Sequence, residues 1–152
     1  MSATVIWSED FLSYRWADTH PMNPVRLALT MTLAGSLGVL DGVEPAPPLS
    51  IDDDVLKVVH TSDYIDAVRA VGSGTASLSG PLLERLFGLG DADNPVFDGM
   101  HEAARLLVGG TLAAAQAVAS GSVNRAVNIG GGIHHAMRSR AAGFCIYNDC
   151  AV

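Results

Sequence analysis

Ala126-Val127-Asn128-Ile129 is a short, mainly apolar run that ends on three consecutive glycines, Gly130-Gly131-Gly132. A run of this kind reads as a buried parallel strand. Glycines at its carboxyl end let a ligand or a second backbone approach closely. Ile133 and two adjacent histidines, His134 and His135, follow at once. In open α/β sheets ligands bind outside the carboxyl ends of the strands, and imidazole is the side chain best suited to moving protons near neutral pH. The pattern therefore predicts an α/β chain whose chemistry lies at this strand end.

The composition fits one globular unit. At 152 residues, with 49% hydrophobic and 16% charged residues, the chain is about one domain long and can bury a substantial core. A formal charge of -7 with only nine scattered Lys and Arg argues against a nucleic-acid partner, because phosphate neutralisation needs clustered cations. The acidic balance either favours cationic substrates or is ordinary solvating charge. Cys145 and Cys150 are the two cysteines, too few for a disulfide framework, and the N-terminus lacks the basic-then-apolar order of a signal peptide. A reducing cytoplasm is expected. Leu106 to Ala119 is too short and interrupted to span a bilayer, so no membrane segment is expected.

Along the chain, Ala3-Thr4-Val5-Ile6-Trp7 suits a first strand, followed by a polar, aromatic loop from Ser8 to Asn23. Pro24 can open a helix with apolar spacing at Val25, Leu27, Leu29, Met31, Leu33 and Leu37, ending near Gly38. Glu44-Pro45-Ala46-Pro47-Pro48 cannot continue it and reads as a linker to a second unit from about Ser50. Asp52, Asp53 and Asp54 suit the start of a helix, and Ser62 or Asp63 can cap the next, which presents Tyr64, Ile65, Val68 and Val71 on one face. Gly72-Ser73-Gly74-Thr75 breaks the pattern and Leu86 to Pro95 reads as a loop. A long helix is predicted from near Val96, through Leu106, Leu107, Ala114 and Val118, to Gly121. The alternation of strand and helix implies helices covering a mainly parallel sheet.

Candidate site residues follow from chemistry. Adjacent histidines can divide proton abstraction and charge stabilisation between them. They can also ligate a metal, or one can pack in the core while the other is exposed. Phe144 after Gly143 offers an apolar wall or core packing. Cys145 has no basic neighbour in sequence to activate its thiol, so it reads as filler rather than nucleophile. Arg26 in a first helical turn is awkward for the helix dipole, and is either exposed or paired with a carboxylate or carbonyl inside the fold. Asp91, Asp93 and Asn94 fit a turn, with metal or substrate-donor binding as the alternative. His60 and His101, on predicted helices, read as structural or exposed. Gly130-Gly131-Gly132 lacks the order of a dinucleotide motif and the lysine of a P-loop.

Five segments taken together carry a resemblance: His20-Pro21-Met22-Asn23-Pro24-Val25-Arg26, His60-Thr61-Ser62-Asp63-Tyr64-Ile65, Asp93-Asn94-Pro95-Val96-Phe97, Gly131-Gly132-Ile133-His134-His135 and Gly143-Phe144-Cys145-Ile146-Tyr147-Asn148-Asp149. In this order they resemble the histone deacetylase superfamily, most closely its bacterial acetoin-utilization branch. The resemblance implies a three-layer α/β/α arginase-deacetylase fold and zinc-dependent hydrolysis of N-acetyl-lysine on a protein or peptide. It makes His135 the general base and His134 its electrostatic and hydrogen-bonding assistant. By the same match Gly143 and Phe144 line the acyl-lysine channel, Asp93 grips substrate backbone amides at the rim, and Arg26 faces the internal cavity behind the metal.

The family's zinc ligands, an Asp-x-His pair and a second Asp, and its oxyanion tyrosine all follow the segment matched by Asp149. Residues 1–152 are therefore expected to be the N-terminal part of a single deacetylase domain, holding about the first half of the sheet and no metal ligand. The remainder of that domain is the expected partner, and the piece alone is expected to be inactive. Two rival readings stand beside this one: a deacetylase of acetylated polyamines or other small amines, and a truncated module that binds acetyl-lysine without turnover.

Overall fold

Local chemistry sets most element ends in the computed structural model, which describes residues 2–152. The chain runs β1 (Ala3–Ile6), a 3-10 turn (Glu9–Ser13), α1 (Val25–Ser36), α2 (Asp53–Leu56), α3 (Ser62–Gly72), α4 (Gly80–Phe87), α5 (Met100–Ala119) and β2 (Arg125–Asn128). The Asp52 carboxylate accepts from the Asp54 and Val55 amides at 3.0 and 3.3 Å, and Asp53 and Asp54 occupy the positive end of α2. α4 begins beside Pro81 and stops at Gly88, whose φ of 63° is left-handed and cheap only for glycine.

β1 and β2 are parallel, in register from Ala3 opposite Arg125 to Ile6 opposite Asn128. A parallel pair needs a crossover, and α5 is the crossover element that packs against both strands. Gly109 and Gly110 let other segments approach α5 closely as well. A Cβ on Gly109 would stand 2.1 Å from the Leu49 carbonyl oxygen, and one on Gly110 would stand 2.9 Å from the Phe11 ring. Phe11, Leu56, Tyr64, Leu107, Ile146 and Tyr147 belong to one buried cluster, which draws in the turn, α2, α3, α5 and the C-terminal loop.

The parallel sheet and mixed helix and strand content agree with the expected partial arginase-deacetylase α/β fold. Several finer expectations are corrected. Residues from Ser50 onward do not form a second unit, since they share that single core. The proline segment is not a free linker: Ala46 bridges to β1, accepting from the Trp7 amide at 3.0 Å and donating to the Val5 carbonyl at 2.9 Å. Proline removes a donor only at its own position, so the alanine between prolines keeps both backbone groups.

α4 falls in a stretch that the sequence pattern does not mark as helical, and α5 starts at Met100 rather than Val96 because Gly99, at φ 72°, turns the chain just before it. Thr61, not Ser62 or Asp63, stands at the start of α3. β2 is only half-covered, with Val127 52% exposed. On α1 only Leu27 is buried. Among the described residues no helix is long and apolar enough to cross a membrane.

Candidate active site

Asn128, the polar residue in an apolar strand, has a local reason to be there. Its amide nitrogen donates to the Leu107 carbonyl at 3.2 Å and to the Thr111 hydroxyl at 2.9 Å, and its amide oxygen accepts from the Gly130 amide. The strand end is thereby tied to α5. The chain then passes through the glycines to His134 and His135, whose rings stack at 4.4 Å with planes 32° apart. His134 Nδ1 lies 2.8 Å from the Gly132 carbonyl oxygen, which can only accept, so Nδ1 carries the proton. In the neutral ring the Nε2 lone pair is left free. The His135 ring makes no hydrogen bond among the described residues and lies against Gly143, where a Cβ would come within 3.0 Å of its Cγ. Both histidines are exposed.

Phe144 adopts φ 68°, the one non-glycine residue in the left-handed region among those described. Such a conformation costs on the order of 1–2 kcal/mol and must be held from outside. Tyr14 does this: its hydroxyl donates to the Phe144 carbonyl at 2.9 Å and accepts from the Ile146 amide at 3.1 Å. Burial pushes the Tyr14 phenol well above its usual range, so it stays a donor. The Phe144 ring meets His20 edge-on at 4.7 Å, and His20 stacks near Trp16 at 4.4 Å. Nδ1 of His20 accepts from the Met22 amide, which leaves Nε2 to donate to the Asp93 carbonyl at 3.3 Å.

Asp93 and Phe144 are therefore joined through His20. Asp91 plays the turn role, accepting from the Asn94 amide at 2.6 Å. Arg26, with Pro21, Met22 and Phe144, lines a cavity of about 160 Å³. Its side chain is exposed and makes no hydrogen bond among the described residues, so it sits on an open rim, neither paired nor enclosed. The reason is that α1, which carries it, packs mainly on the 3-10 turn and buries only Leu27. Three larger hollows, of about 350, 300 and 210 Å³, are lined by neither His134 nor His135.

The sequence left open what His60, Tyr64 and His101 hold; in the structure they brace this loop. His60, buried, accepts the Asn148 amide at Nε2 (3.0 Å) while Nδ1 faces the Arg138 carbonyl at 3.3 Å. Tyr64 donates to the Ile146 carbonyl at 2.6 Å. His101, 2% exposed, stands 2.8 Å from the Tyr147 hydroxyl through Nδ1 and 3.2 Å from Asp53 through Nε2; Asp53 in turn pairs with Arg69. Burial pushes both imidazoles down, His101 to about 4 with Arg69 adding to the effect. Both are structural, one of the two roles their sequence positions suggested. Cys145 is buried and burial raises its thiol, the opposite of what an activated nucleophile needs, in keeping with the filler role read from the sequence. No signal in the sequence pairs His101 with Tyr147, because the partners are far apart along the chain.

Among the described residues no group of three or more His, Cys, Asp or Glu side chains is placed to hold a metal ion. These residues therefore do not fit zinc by themselves.

The histone deacetylase domain family matches residues 20–152. The chain is 47% identical over 148 residues to the acetoin utilization protein AcuC of Bacillus subtilis (strain 168), covering 97% of this chain and 37% of that protein. Proteins of the same description from Staphylococcus aureus (strain MSSA476) and Staphylococcus xylosus are each 37% identical over 147 residues, again with 97% of this chain and 37% of theirs. The chain thus spans little more than a third of the length of these relatives. With the family matched across most of its residues, the chain belongs to the histone deacetylase family.

Proposed function

We propose that this chain is the N-terminal part of a zinc-dependent lysine deacetylase of the acetoin-utilization type, which hydrolyses N-acetyl-lysine on proteins to lysine and acetate. The observation that carries this reading is the placement of the His135 ring against Gly143, next to Phe144, with His134 stacked on it. A free imidazole beside an apolar wall suits a general base acting on water next to a lysine whose charge acetylation has removed. In this reading His135 takes the proton. His134, its ring pinned through Nδ1, offers hydrogen-bonding and electrostatic support.

Phe144 and Gly143 border the acyl-lysine channel, Asp93 meets the substrate backbone at the rim, and Arg26, on an open rim in residues 1–152, serves the cavity behind only once the remainder of the domain encloses it. We assign the metal ligands to the remainder of the family domain, which is also the partner that covers the exposed face of α1 and the outer edge of β2. The two free cysteines suit a reducing cytoplasm.

The test is zinc content and turnover of an N-acetyl-lysine peptide and of an acetylated polyamine, measured on the complete gene product and on residues 1–152 alone. Activity on the peptide is expected only for the complete product, with about one zinc per chain. His135→Ala should reduce kcat by about 10²- to 10⁴-fold and leave zinc bound. A complete product that binds zinc but is inert on both substrates would overturn the enzyme reading. Preference for the polyamine would replace the substrate.

A further inference from the structure

The loop that presents the histidines has almost nothing of its own to hold it, because Gly130, Gly131 and Gly132 have no side chains to pack. What holds it comes from the other end of the motif. The Asp149 side chain, 2% exposed, aims both carboxylate oxygens at this backbone: Oδ1 accepts from the Ile133 amide at 2.6 Å and Oδ2 from the Gly132 amide at 2.9 Å. Thr111 on α5 donates its hydroxyl to Oδ2 as well.

A buried carboxylate is costly unless its oxygens are bonded, and here charge-assisted bonds engage both. The approach is close enough that a Cβ on Gly131 would stand 2.8 Å from Oδ2, so glycine is required there. Asn148, the preceding residue, grips the far side, donating to the His134 and Ala136 carbonyls at 3.0 Å each. Two consecutive side chains thus fasten the backbone on both sides of His135, whose own ring has no hydrogen-bond partner among the described residues.

We infer that Asp149 is a positioning residue for the His134–His135 pair: its carboxylate, by fixing the Gly132 and Ile133 amides, sets where the His135 ring stands. The inference rests on the deacetylase reading above. In Asp149→Asn the shape is kept, but one oxygen becomes an amide nitrogen that confronts a backbone N–H instead of accepting from it.

The experiment compares wild type and Asp149→Asn in the complete gene product, reading kcat and KM on an N-acetyl-lysine peptide together with hydrogen exchange of the Gly132 and Ile133 amides. The expected result is a fall in kcat of about 10- to 100-fold with KM nearly unchanged, and faster exchange at those two amides than in the core. Thr111→Val, which removes only the hydroxyl support, should give a smaller loss of kcat in the same direction, and it decides the matter if Asp149→Asn fails to fold. Wild-type kcat in the folded variant, or loss of kcat with the two amides still protected, overturns the inference while leaving the deacetylase reading intact. An inert wild type overturns that reading, and this inference with it.

Discussion

His101 shows how a single buried side chain ties the site to solution conditions. In the unfolded chain its imidazole titrates near the ordinary histidine value, about 6.5; in the fold burial holds it to about 4. Between those values the unfolded chain binds more protons, so stability rises with pH and is lost as pH falls from about 6.5 towards 4. His60 shifts in the same direction and adds to the effect. The Asp53 carboxylate facing the His101 ring does not reverse it, because that charge is already engaged by Arg69. We expect the denaturant midpoint of the complete gene product to drop between pH 7 and pH 5. His101→Gln should be less stable at pH 7 and show a shallower pH dependence. A midpoint independent of pH across this window would contradict the assignment.

At the scale of elements, α5 decides the geometry, and its glycines can be told apart by what surrounds them. Alanine in a helix interior ordinarily stabilises relative to glycine by up to about 1 kcal/mol. A methyl group added to Gly35 in α1 would meet nothing within 4 Å, so that position should follow the rule. Gly109 should reverse it, because the added carbon would press on the Leu49 backbone carbonyl, which cannot rotate away as a side chain would. The expected cost is roughly 1–3 kcal/mol or more, read as opposite shifts in the melting temperatures of Gly35→Ala and Gly109→Ala. Equal shifts of one sign would show that the Leu49 segment is not seated on the helix. The periodic apolar pattern located α5, but it could not distinguish a glycine that is merely tolerated from one that a crossing backbone requires.

For the whole molecule, the covered and uncovered surfaces are unequal. Val25, Leu29, Leu33 and Leu37 recur every four residues along one side of α1 and its end, and are 53%, 62%, 59% and 69% exposed. Among the described residues β1 is the one strand paired with β2 in the two-stranded sheet, so the outer edge of β2 is open. Apolar stripes and open edges of this kind promote association. Residues 1–152 produced alone are therefore expected to self-associate in sedimentation experiments, with Leu29→Lys combined with Leu33→Lys shifting them towards monomer. A monodisperse monomer in the unsubstituted protein would mean that these surfaces are covered in some other way.

What the sequence alone determined is local or motif-bound: the α/β class, the parallel character of the strand before the glycines, the existence of α5, and the family to which the two histidines and Gly143-Phe144 point. Those features repeat with a short period or sit within a few residues of one another, so they can be read without knowing the fold. Tertiary structure decided the rest. It put Asp149 under the Gly132 and Ile133 amides, Tyr14 beneath Phe144, and His101 between Tyr147 and Asp53. It also left the apolar side of α1 in water, although its spacing reads as a core face. Each of these outcomes depends on segments that meet only after the chain has crossed over, and on how much surface those segments cover; neither quantity has a local signature in the order of the residues.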